Sequence, residues 1–120
     1  MAKNMVNKRG EAISFVPTSP TSPVSGSPVR LGEILGVAMD NPGAGGNAAG
    51  AVSVWVGPGV FSLSVTDSQA TGIALGDKLY FTDGNPPVIN NDNTKRLFGY
   101  ALGTVGANAT ATINVLRHVN

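Results

Sequence analysis

Val52-Ser53-Val54-Trp55-Val56-Gly57-Pro58-Gly59-Val60-Phe61-Ser62-Leu63-Ser64-Val65 is the stretch that decides the fold class. Val52, Val54 and Val56 alternate with Ser53 and Trp55, and a period of two sends successive side chains to opposite faces of a pleated strand. Gly57-Pro58-Gly59 then turns the chain into a second apolar stretch of Val60, Phe61, Leu63 and Val65. Outward from this pair the same pattern continues. Val29 and Leu31, then residues 34–39, form two short apolar runs around Gly32, and later runs cover residues 78–82, 98–102 and 110–116. Clusters of Gly, Asn, Pro or Asp separate nearly all of them, which is how a sandwich or barrel of short strands reads. The expectation is an all-β fold: a compact small barrel or sandwich of short antiparallel strands, with at most one short helical turn, at residues 71–75.

Upstream, residues 11–16 alternate around Ile13 and Phe15 and predict a short strand. Pro17, Pro20 and Pro23 stop it, because proline withholds the donor that a ladder needs and favours polyproline II. Residues 17–28 are therefore expected to form a proline-rich surface strap. Residues 1–10 hold Lys3, Lys8 and Arg9 without an acid, and read as an N-terminal arm ahead of a single β domain over residues 11–120. At 120 residues the chain suits one domain.

Composition narrows the function. Charged residues make up 12% of the chain, and eight basic groups nearly cancel seven acids. Such a surface suits a packed assembly, and it lacks the dense Lys/Arg stripe that phosphate binding requires, so no nucleic-acid partner is expected. No apolar run approaches 18 residues and no signal segment opens the chain, so no membrane association is expected either. With no cysteine, disulfides and thiolate metal sites are excluded.

No reactive set of side chains gathers in the sequence. His118 is the lone histidine, and one histidine without cysteine makes neither a transition-metal site nor, lacking a nucleophile elbow, a Ser-His-Asp triad. The seven acids nominate no catalytic pair and mostly fall at turns, where Asp bonds its own backbone. The glycine-rich residues 41–50 precede a strand where a phosphate loop needs a helix, and residues 82–85 and 90–93 are oxygen-rich without matching a calcium loop. Neither enzymatic activity nor a cofactor is expected. Trp55, the only tryptophan, points opposite to Val54 and Val56, and therefore either caps the core from one side or sits in an interface between subunits, for which it is the candidate.

A weak echo links residues 35–39 (LGVAM) to residues 98–102 (FGYAL). Two related hairpins would produce it, and so would the abundance of Gly, Ala and Val. If the hairpins are related, Gly36 and Gly99 mark places where a strand bends or another backbone comes close.

The order of these motifs is itself informative. The MAKN start, Ser25-Gly26-Ser27-Pro28-Val29 leading to Leu35-Gly36-Val37-Ala38, Gly59-Val60-Phe61-Ser62-Leu63, Gly76-Asp77-Lys78-Leu79-Tyr80-Phe81, Phe98-Gly99-Tyr100-Ala101-Leu102 and Ala111-Thr112-Ile113-Asn114-Val115 together resemble a family of small tailed-phage capsid decoration, or cement, proteins. The resemblance spans nearly the whole chain and departs at the long proline strap and the acid-free loop at 41–50. It implies a structural protein of the virion, made in the host cytoplasm and placed on the outer capsid surface. There a homo-oligomer, by analogy a trimer, would bridge subunits of the major capsid protein. Ala2, Lys3, Asn4, Met5, Val6, Lys8 and Arg9 become the candidate capsid contacts, through strand addition and charge pairing. The alternative for such a domain is a module that recognises a glycan or host receptor, but most of the aromatics fall within predicted strands instead of loops.

Overall fold

The computed structural model describes residues 12–21, 23–44, 46–84 and 86–117. Among these residues nine strands follow one another: β1 (Ala12–Phe15), β2 (Pro28–Leu31), β3 (Ile34–Ala38), β4 (Val52–Trp55), β5 (Gly59–Thr66), β6 (Lys78–Phe81), β7 (Ile89–Asn90), β8 (Arg96–Ala101) and β9 (Thr110–Arg117). Gly57-Pro58-Gly59 is the hinge of the architecture. Before it, β1-β4-β3-β2 make an antiparallel sheet; after it, β5-β7-β6-β8-β9 close into a barrel.

The alternation read from the sequence decides which face each strand buries. In β5, Leu63 and Val65 point into the barrel, while Ser62 and Ser64 face solvent. β9 runs antiparallel beside it over eight pairs, from Gly59 opposite Arg117 to Thr66 opposite Thr110. Phe81, Phe98, Leu79, Ile89, Val65 and Val115 are the largest fully buried side chains of the barrel core. Leu35 and Val37 of β3 join that core, so the sheet lies against the barrel through one face. Its other face builds a smaller cluster from Val29, Ala38, Val52 and Val54, with Phe15 and Val56 packed against it.

Three features depart from the sequence reading. Residues 71–75 are not helical, and no helix occurs among the described residues. Ala70, Gly72 and Gly76 adopt positive φ of 60°, 77° and 91°, a conformation that a right-handed helix does not admit. Ile73 instead pairs across the loop with Val105, each amide donating to the other's carbonyl at 2.8 and 2.9 Å. Not every pairing is antiparallel: two-residue β7 lies parallel to β5, too short for its periodicity to be read. The strap, finally, is more than a surface connector. Pro17, Ser19, Pro20 and Pro23 are all buried while Thr18 and Thr21 are exposed. Arg30 of β2 exchanges backbone bonds with it, Arg30 N donating to Ser19 O at 2.8 Å and Thr18 N to Arg30 O at 2.7 Å.

Gly36 and Gly99 sit in equivalent settings, each pressed against a neighbouring strand. A Cβ on Gly36 would lie 2.5 Å from the Trp55 carbonyl oxygen, and one on Gly99 would collide with the carbonyl oxygen of Leu116. Backbone cannot yield as a side-chain tip can. Gly99→Ala is expected to cost about 2 kcal/mol by overpacking, read as a lower midpoint in urea at unchanged slope.

Candidate functional site

Polar side chains in this fold are spent on holding its two halves and its loops together. Arg30, on the face of β2 opposite Val29, reaches the loop after β6. Its Nε and a terminal nitrogen donate to the two carboxylate oxygens of Asp83 at 2.7 and 2.6 Å, and its other terminal nitrogen to Gly32 O at 2.9 Å. Such forked pairing is the strongest geometry open to arginine. Its bonds to Asp83, with the charge behind them, hold that carboxyl below the usual aspartate range against the opposing effect of burial. Arg96 of β8 makes a second fork with Glu33 in the β2–β3 turn, at 2.8 and 3.0 Å. That pair is open to water and contributes less.

The third tie is buried. Arg117, at the end of β9, donates to Phe98 O at 3.0 Å and to Leu35 O at 2.8 Å, with its guanidinium 5.2 Å from the centre of the Phe98 ring. Burial draws its pKa below the ordinary guanidinium value. All three arginines join the N-terminal sheet to the barrel, because Glu33, Leu35 and Arg30 belong to β2, β3 and their turn.

At the far end of the barrel, Asp67 organises three loops. Its carboxylate accepts from Gln69 N at 3.1 Å, Gly72 N at 2.9 Å, Asn91 Nδ2 at 2.8 Å and Asn108 N at 2.9 Å. Only 3% of the residue is exposed. Burial by itself would raise the pKa, but the four donors outweigh it and hold the carboxyl far below the usual range.

The oxygen-rich loops are satisfied in the same way. Asp40 accepts from Ser53 N at 2.9 Å and from Asn47, whose own Oδ1 accepts from Ser14 Oγ at 2.7 Å, which fastens the 41–50 loop to the sheet. Asp92 accepts from Thr94 N and Thr94 Oγ1, closing its own turn. No group of three or more His, Cys, Asp or Glu that could hold a metal occurs among the described residues. Among the described residues, no helix is long and apolar enough to cross a membrane.

Trp55 is half-buried, and its indole Nε1 donates to Pro58 O at 2.9 Å, so its polar edge is satisfied within the turn. Ala2, Lys3, Asn4, Met5, Val6, Lys8, Arg9 and His118 lie outside the described residues. One feature had no sequence signal: a cleft of about 350 Å³ between the strap, the middle of β5 and the segment leading into β7. Ser62, Leu63, Ser64, Pro86, Pro87 and Val24 are among its walls, and among the described residues none that lines it is charged. It arises because β5 and β7 pair only at Val65 with Ile89 and Thr66 with Asn90, so the barrel seam parts beyond them. A two-residue parallel contact leaves nothing to read in advance.

Set beside known proteins, residues 7–117 match the family model described as phage cement protein. No curated protein and no solved structure matches the chain.

Proposed function

The chain belongs to the phage cement protein family, and from that premise we propose that it binds the outer surface of a phage head and stabilises the shell by bridging neighbouring major capsid protein subunits. Cement proteins are structural components of the virion capsid. The match across nearly the whole chain is the observation that carries this reading.

The architecture supports it. A cement protein must transmit load between its footholds, and three arginine ties join the two halves of this one. The near-neutral composition suits close packing on a shell. Assembly as a trimer, with half-buried Trp55 at the contact between copies, would give each oligomer several footholds, and avidity would then exceed any single contact. A partner held at about a thousand times its dissociation constant adds about 4 kcal/mol per site to the assembled state. Residues 2–9 extend the reach, Lys3, Lys8 and Arg9 facing acids of the coat. The chain acts without catalysis or cofactor.

Incubation with undecorated, expanded heads and with a glycan array separates this function from recognition of a glycan or host receptor. Co-sedimentation with heads and no glycan binding is the expected result; the reverse pattern would overturn the proposal. Removing residues 1–9 is expected to leave the domain folded by circular dichroism and to weaken head binding at least tenfold. Unchanged binding would take the arm out of the mechanism.

A further inference from the structure

We propose that the cleft along β5 receives an extended, uncharged segment of the coat protein, which pairs with residues 59–64 as an added strand. The proposal rests on the capsid-binding function above and assigns it a contact surface.

The backbone supplies the first argument. β5 is paired with β9 over its full length, but on its other side it meets β7 only at residues 65 and 66. Residues 59–64 have no strand partner on that side among the described residues. An open edge is a template for another chain, and proteins commonly blunt it with charge, a bulge or a cover. This edge carries no charged residue. Residues 62–64 of it form a wall of the cleft, facing the strap and the segment at 86–88. Pro86 and Pro87 have no amide hydrogen, so that segment is poorly equipped to complete the ladder itself.

The chemistry of the walls selects the occupant. With no lining residue charged, a charged side chain entering the cleft would lose water without gaining a partner. That excludes the chain's own arm, where Lys3, Lys8, Arg9 and Glu11 crowd into nine residues. Edge-to-edge pairing with β5 of a second copy would require the straps of both molecules, each the facing wall of its own cleft, to pass one another. What fits is a foreign strand with small uncharged side chains at alternate positions, directed at exposed Ser62 and Ser64. For a cement protein, the foreign chain at hand is the coat.

The test is deuterium exchange on the full chain, free and bound to expanded, undecorated heads of the phage that encodes it. Amides in residues 60–64 are expected to exchange at least tenfold more slowly when bound. Ser64→Asp, which puts a charge in the cleft, is expected to weaken head binding at least tenfold. Thr112→Asp, its cross-strand partner outside the cleft, is expected to bind as the unaltered chain does. Binding to heads with no slowing at 60–64 would overturn the strand-addition proposal while leaving the cement function standing. Absence of binding by the unaltered chain would overturn the cement function itself, and this contact with it.

Discussion

Asp67→Ala is expected to lower the melting temperature by roughly 10 °C at neutral pH, by breaking a buried hydrogen-bonded hub. Three backbone amides and the Asn91 side chain converge on this carboxylate, and alanine would leave all four donors without the buried acceptor that Asp67 supplies. Asp67→Asn should lose nearly as much, since its amide group turns donors toward donors. The pH dependence has a definite sign. The folded-state pKa lies below the unperturbed 3.8, so the fold favours the ionised form. Its contribution is complete above the unfolded pKa and is lost as pH falls through the folded value. Asp83 and Glu33 shift in the same direction. The melting midpoint should therefore hold steady above about pH 5 and fall below about pH 4. The gap between the unaltered chain and Asp67→Asn should be wide at neutral pH and shrink in acid. Differential scanning calorimetry across that range checks both statements, and a constant gap would show that Asp67 acts without its charge.

The second large effect is expected at Arg117. Arg117→Ala removes the donors that serve Phe98 O and Leu35 O and opens a void beside the Phe98 ring. Two buried carbonyls losing their arginine donors, together with the lost packing, should cost about 4 kcal/mol. Arg117→Lys is expected to recover less than half, because a single ammonium on a flexible stem cannot reproduce a planar fork reaching two carbonyls at once. Urea unfolding followed by the fluorescence of Trp55 measures both. Trp55 lies on β4 of the sheet and Arg117 on β9 of the barrel, so one coincident transition for Trp55 fluorescence and far-ultraviolet circular dichroism would show that the halves unfold together.

The sequence carried the strands because their signal is local. Val52, Val54, Leu63, Val65 and Val115 alternate with polar neighbours, and each is buried where the alternation puts it. Gly36 and Gly99 were legible for a similar reason, a glycine in the middle of an apolar strand run implying a bend or a close backbone. The helical turn expected at 71–75 failed because Gly72, inside it, takes a positive φ, as does Ala70 just before it, whose side chain does not advertise it. The cross-links were hidden for a different reason. Arg30 and Asp83 are 53 positions apart, and Arg96 and Glu33 are 63; nothing in a run of neighbours says which arginine will find which acid. Asp67 illustrates both cases. Its place in a turn was readable, but its command of residues 91 and 108 comes only from how the loops converge.

The eight-pair ribbon of β5 and β9 also constrains the order of events at the ribosome. β5 is synthesised more than forty residues before β9, the strand that covers its side, so the barrel stays unsealed until residues 110–117 have emerged from the exit tunnel. Through that interval the nascent chain displays Leu63, Val65 and Phe81 without their cover, a period in which chaperone capture competes with aggregation. A nonsense codon between positions 82 and 110 would make that vulnerable state permanent.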